Sequence, residues 1–317
     1  MCINYKYTGE TEENFWRTDM RTEFKHPELE DKEIIRNFLQ KEHNRNCEMT
    51  FANIYLWSRT IFPLKYAIVE DTICFLSENE DHAVTFPVGA GEKKKVIELL
   101  KEEWKKEGRK LKLRLVTEEQ FLKLQEMYGD DLEISYNRDY ADYVYETEKL
   151  IQLSGKKYHG KKNHINRFIA NHPNWQYEPI TKENVAECIA MAEEWGIKNG
   201  CDTDKEKQQE LSVTIQGLNM LEELDLKGGL IRAEGQVIAF TFGESVTDDT
   251  FVIHVEKAFA EIQGAYPMIN REFLKAEAAE YLYVNREEDT GSEGLRKAKL
   301  SYHPAFLIEK GFVTLGD

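Results

Sequence analysis

Residues 251–304 read FVIHVEKAFAEIQGAYPMINREFLKAEAAEYLYVNREEDTGSEGLRKAKLSYHP, and this stretch decides the fold. It opens with a short apolar strand over 251–255 and loops to Gly264-Ala265. A helix follows, with Met268, Ile269, Phe273 and Leu274 recurring on one face. A second strand over 281–284 then runs into the polar, charged segment 285–299. Strand, small-residue turn and helix N-terminus make a ready anion site, because unpaired backbone N–H groups point at whatever sits there. The second strand can lie beside the first and leave a cleft at their carboxyl ends. The active site is expected in that cleft.

Outward from this stretch, the chain carries one order of elements twice. In the first part, 33–41 reads as a helix with Ile34, Ile35, Phe38 and Leu39 on one face. Phe51, Ile54, Tyr55 and Trp57 fall on a second helix that Thr50 can cap. Two β-rich runs, 65–70 and 72–76, pair over Glu70-Asp71, and a third strand is expected at 83–87. A helix over 92–106, a strand over 111–116 and a helix from Thr117 follow; Thr117 and Gln120 are spaced as a capping box. Strands at 132–136 and 142–145 are expected to close this half.

The second part repeats the theme. After the basic stretch 155–168 come a strand at 175–179, a helix capped by Thr181 running to Lys198, and another over 203–224. A hairpin of 229–233 with 236–245 turns over Glu234-Gly235 and leads into the quoted stretch. Residues 306–315 are expected to give a last helix turn and a strand. The pattern is α+β, without a residue-level repeat. Residues 1–21 read as an N-terminal arm, 22–150 as a first domain and 151–317 as a second domain that holds the active site.

The bulk numbers bound the answer. A chain of 317 residues, 41% hydrophobic and 32% charged, is long enough for roughly two domains with their own cores. It contains no apolar run near the roughly 18 residues of a membrane span. The N-terminus lacks the basic start and apolar centre of a signal peptide, so cytoplasm is the expected location. Five scattered cysteines with no CxxC pair read as reduced, buried thiols. A formal charge of −16 argues against a dedicated nucleic-acid binder while leaving room for a local basic patch.

Asn285-Arg286-Glu287-Glu288-Asp289 followed by Gly294-Leu295-Arg296-Lys297-Ala298-Lys299-Leu300-Ser301-Tyr302 resembles the family related to the C-terminal domain of bacterial phosphatidylglycerol lysyltransferases. The resemblance extends back through Gly264-Ala265-Tyr266 and Asn270-Arg271-Glu272-Phe273, and reaches the run 51–57, FANIYLW. It implies two tandem GNAT-like (acyl-CoA N-acyltransferase) domains, each a mixed twisted sheet flanked by helices. It further implies acyl or aminoacyl transfer to an amine or hydroxyl of a small-molecule or lipid-headgroup acceptor. The donor is then a CoA thioester (CoA or acetyl-CoA) or an aminoacyl-tRNA. The lysyltransferases that flip lipid carry a large membrane portion, which this chain lacks.

The candidate chemistry falls on a few residues. In GNAT enzymes a Gln/Arg-x-x-Gly-x-Gly/Ala loop wraps the CoA pyrophosphate. Glu261-Ile262-Gln263-Gly264-Ala265-Tyr266 matches at Gly264 but departs at Glu261 and Tyr266. Gln263, Gly264, Ala265 and Tyr266 are the donor-loop candidates. Asp289 and Glu256 compete as the carboxylate that takes a proton from the acceptor. Tyr302 is the candidate general acid, and His254, two residues before Glu256, reads as a core histidine. Arg296 and Lys299, neighbours on one helix face, can hold donor phosphate together with Asn285. Lys161 and Lys162 head a basic run, Lys156 to Arg167, suited to tRNA or CoA phosphates. His159, His164 and His172 lack metal-ligand spacing, so no metal is expected. Two further readings stay open: a binding protein that kept the double fold without chemistry, and a tRNA-binding module.

Overall fold

The computed structural model describes residues 22–60, 62–79 and 81–316; the arm expected at 1–21 lies outside them. In the first half come α1 (Lys32–Leu39), α2 (Phe51–Trp57), the hairpin β1 (Leu64–Val69) and β2 (Thr72–Ser77), then β3 (Val84–Thr85) and β4 (Val88–Gly89). α3 (Lys93–Lys106), β5 (Lys112–Val116), α4 (Glu118–Tyr128), β6 (Ile134–Tyr136) and β7 (Asp142–Glu146) complete it. The Thr50 hydroxyl accepts from the Asn53 amide at 3.3 Å, and Thr117 with Gln120 forms a reciprocal capping box on α4.

The second half holds α5 (Thr147–Gln152), α6 (His159–Asn171), β8 (Gln176–Pro179), α7 (Val185–Lys198) and α8 (Lys205–Asn219). β9 (Lys227–Ala233), β10 (Gln236–Ser245), β11 (Thr250–Ala258), α9 (Ala265–Glu277), β12 (Tyr283–Asn285), α10 (Glu293–Leu300), β13 (Phe306–Ile308) and β14 (Gly311–Thr314) follow. α7 starts after Asn184 rather than on a Thr181 cap, and α8 starts on Asp204, whose carboxylate accepts from the Glu206 and Lys207 amides.

Among the described residues the strands form two mixed sheets, each flanked by helices. One runs β1-β2-β3-β5-β14-β6, with β4 on β2; the other runs β13-β7-β12-β11-β10-β9-β8. This is the tandem GNAT-like arrangement, with an exchange that the sequence conceals. β7, read as closing the first half, lies inside the second sheet between β12 and β13. β14, at the C-terminus, lies inside the first sheet between β5 and β6. The segment 306–315 is thus two strands in two different sheets, with no helix turn. β7 suits an interior place because both its faces are apolar: Tyr143, Val144 and Tyr145 are all buried.

The core follows the exchange. One cluster joins Ile35, Phe51, Ile54 and Leu56 of the first half to Phe168, Met191, Phe240 and Phe242 of the second. Another packs Tyr143, Tyr145, Phe251, Phe273, Val284 and Tyr302 around β7 and β12. The Lys310 ammonium is fully buried between the halves, 2.8 Å from Asp142 and 2.7 Å from Glu48. Lys310 is thus the cation of a cluster that also brings the thiol of Cys47 to 3.5 Å from Glu288.

Candidate active site

β11 and β12 run parallel, but only Thr250, Phe251 and Val252 pair with Tyr283, Val284 and Asn285. Beyond that point the chains part. β11 continues to Ala258 along β10, whereas the Arg286 amide donates to the Tyr143 carbonyl at 3.0 Å and stays with β7. The expected cleft is this wedge. On its β11 wall the register with β10 jumps between Phe242 and Gly243, so that Val255 and Ile253 are paired and His254 is the extra residue of a bulge.

Two charge clusters line the wedge. His254 bonds Glu287 through Nδ1 at 2.8 Å and Glu244 through Nε2 at 3.1 Å. Burial disfavours its imidazolium, but the two carboxylates outweigh burial and bring its pKa up to about 9. Helices of the first half reach in: Asn53 of α2 donates to Glu287, and Arg36 of α1 donates to Glu244, each at 3.5 Å. Glu256 accepts from Arg286 Nη2 and from Asn270 Nδ2 of α9, both at 2.8 Å. The Arg286 guanidinium lies 4.7 Å from the Tyr302 ring centroid, and its Nη1 is buried without a hydrogen-bond partner. Lys161 stands over the same ring at 3.8 Å. Burial, and then the neighbouring Arg286 charge, lower the Lys161 pKa to about 8. Burial also raises the Tyr302 phenol.

The other candidates do different things. Asp289 is fully buried and accepts two bonds from Arg296 at 2.8 Å, one from Tyr143 at 2.5 Å and one from the Gly291 amide at 3.0 Å. Burial opposes its charge, but these donors outweigh that and hold it well below the usual carboxylate range. A carboxylate so committed is an anchor for the loop and a poor base. Arg296 is spent on Asp289 and on Asp139 at 2.6 Å. The Lys299 ammonium is buried and donates to the carbonyls of Arg286, Glu287 and Glu288, so it shapes the wedge floor instead of holding phosphate. Asn285 bonds Asp142 and the Arg45 carbonyl at 2.8 Å, and accepts from the Glu287 amide at 2.7 Å.

The donor loop is also committed. Gly264 has φ +92°, and a Cβ there would lie 2.3 Å from the His164 carbonyl oxygen, so the glycine serves the close approach of α6. In the first turn of α9 the Ala265 and Met268 amides are used by Ile262 and Gly264, and Pro267 has none. Glu261 pairs with Lys198 at 2.5 Å; Gln263 contacts His164 at 3.3 Å; Tyr266 accepts from Trp195 at 3.3 Å. The side chains of this loop and the Ala265 and Met268 amides are thus already engaged. Lys162 is exposed on α6 beside the wedge.

The sequence gives Glu256, Tyr302 and Lys161 but not the groups that gather them: it reads His254 as a core histidine and assigns Arg286, Asn270 and Asn53 no role. Their common signal is position: polar side chains at or just beyond the end of a buried strand or on a helix face that is otherwise apolar.

The fold defines a class: a protein built from two GNAT-like units, each a mixed sheet flanked by helices. The family model described as phosphatidylglycerol lysyltransferase, C-terminal, matches residues 40–312, and the chain belongs to that family. It is similar to a crystallised conserved protein of unknown function from Bacteroides thetaiotaomicron VPI-5482, with 38% identity, TM-score 0.88, and coverage of 93% of this chain and 100% of that one. The fold is shared with the L-PGS of Bacillus licheniformis at 14% identity and TM-score 0.62, over 90% of this chain and 91% of that one. An uncharacterised protein of Mycoplasmoides gallisepticum is 27% identical over 216 residues, 62% of this chain and 68% of that protein. Among the described residues no helix is long and apolar enough to cross a membrane.

Proposed function

We propose that the protein moves an aminoacyl group from tRNA to a hydroxyl or amine of a small-molecule or lipid-headgroup acceptor, in the wedge between β11 and β12. The observation that carries this reading is Arg286, whose buried Nη1 is unpaired beside Tyr302 and Lys161. A buried cation held by Glu256 can stabilise the oxyanion that forms when an ester carbonyl is attacked. Glu256, bonded on both oxygens, orients Arg286 in this scheme. An aminoacyl ester is favoured over a CoA thioester because the donor loop is packed against α6. The exposed face of α6 supports an RNA donor: from 155 to 176 the chain carries five Lys and Arg and no Asp or Glu.

The test is transfer from labelled lysyl-tRNA, alanyl-tRNA and acetyl-CoA, each offered with phosphatidylglycerol vesicles and with soluble amines. We expect product from an aminoacyl-tRNA and a loss of about 100-fold or more in kcat for Arg286→Gln. Product from acetyl-CoA alone would reject the donor assignment. Absence of turnover with every donor, with tRNA still bound, would support the binding-protein reading instead.

A further inference from the structure

The buried face of α6 is read from its sequence by helical spacing. Tyr158, at the turn just before the helix, Ile165 and Phe168 are buried, and steps of three, four and three residues place Lys161 in line with them. Lys156, Lys157 and Lys162, the other lysines of this run, are exposed. A lysine in an apolar stripe costs free energy unless it is paired or has work to do. Lys161 makes no ion pair among the described residues. Its Nζ lies 3.8 Å from the centroid of the buried Tyr302 ring, which Arg286 approaches at 4.7 Å. The carboxylate nearest in influence, Glu256, is already held by Arg286 and Asn270 at 2.8 Å.

We infer that Lys161 is the proton acceptor of the transfer reaction, a catalytic residue in the wedge opposite Arg286. This rests on the aminoacyl-transfer reading. The two carboxylates that the sequence offered for the task are both occupied by strong donors, and Lys161 is the amine that faces the same wedge without a partner. Its neutral Nζ takes the proton of the acceptor hydroxyl or neutral amine as the acceptor atom attacks the ester carbonyl carbon. The carbon–oxygen bond to the tRNA ribose then breaks, and the leaving ribose oxygen takes the proton back from Nζ. No other reactant is consumed, and the amine returns to its starting state.

The surroundings suit an amine that exchanges protons near neutral pH. Facing Lys161 are Arg286 from the loop after β12, Glu256 from β11 and Tyr302 after α10; His164 lies one turn on along α6 and Lys157 in the turn before the helix. Burial and Arg286 both disfavour its ammonium, and Glu256 opposes them only in part, which leaves its pKa at about 8. Efficient acid–base groups titrate close to the working pH.

Two measurements on the intact protein test the assignment. In competitive labelling with acetic anhydride, resolved by mass spectrometry, the reactivity of Lys161 is followed against pH. We expect half-maximal reactivity near about 8, whereas an ordinary lysine reaches it near about 10.4. In the transfer assay, kcat of the wild type rises with pH through the same midpoint. Lys161→Arg keeps the positive charge but cannot accept a proton, so kcat falls about 100-fold or more with KM little changed, and the rise with pH disappears. Thermal melts confirm that the variant folds. A labelling midpoint near 10.4, or a Lys161→Arg enzyme with wild-type kcat, overturns the assignment. A wild type that transfers nothing while Lys161 labels near 8 instead rejects the transferase reading, and the catalytic role falls with it.

Discussion

Glu256 and Asp289 are both carboxylates at the mouth of the wedge, and their surroundings give them different work. Asp289 is ringed by Arg296, Tyr143 and a backbone amide, whereas Glu256 holds a guanidinium, that of Arg286, whose Nη1 is buried without a hydrogen-bond partner. His254 lends itself to measurement because its charge depends on pH in an accessible range. Its folded pKa, about 9, lies above the unfolded value near 6.5. A raised histidine stabilises the fold fully below the unfolded value and loses that contribution as pH climbs through the folded value. Urea midpoints measured from about pH 6 to 10 should therefore decline for the wild type between about pH 6.5 and 9 and level off above it. In His254→Gln this decline should be absent; parallel curves for the two proteins would reject the clamp. The sequence reads His254 as a core histidine on the strand face of Glu256 and does not show the two carboxylates beside it, because Glu244 and Glu287 approach from other segments of the chain.

At the scale of elements, the packing of α6 on the Gly264 turn decides what the site can bind. A Gly-Ala pair before a helix reads as a phosphate loop when only spacing is visible. The fold uses the missing side chain to seat the His164 carbonyl. Gly264→Ala should cost about 1–3 kcal/mol through its left-handed backbone alone. The clash with His164 should also push α6, and Lys161 with it, away from Tyr302. Urea denaturation together with Lys161 labelling would register both effects; an unchanged stability would mean that α6 does not seat on this turn. Helix periodicity, hairpin turns and the α4 capping box were legible because each is written within one segment. The depth of Lys161 is legible in the same way, as a lysine spaced among Tyr158, Ile165 and Phe168.

At the scale of the whole molecule, the exchanged strands bind the two halves into one folding unit. Without β14, β5 and β6 have no strand to join them, and without β7, β12 keeps only β11 and β13 loses its neighbour. A first fragment would also expose Tyr143 and Tyr145, and it would leave Asp142 and Glu48 without Lys310, the cation they share. We therefore expect fragments 1–150 and 151–317 to be unfolded or aggregated alone and to acquire a common fold when co-expressed. The intact chain should unfold in a single cooperative transition. A fragment with its own cooperative urea transition would contradict this.

By itself the sequence determined the α+β class, nearly every helix and strand, and the family. Those properties rest on local periodicity, turn chemistry and a contiguous motif. Only the tertiary structure decided that β7 and β14 change sheets, that Asp289, Arg296 and Lys299 build the loop, and that Glu256, Arg286, Tyr302 and Lys161 share one wedge. A carboxylate or an ammonium acquires its role from the groups within a few ångströms of it, and here those groups come from distant parts of the chain.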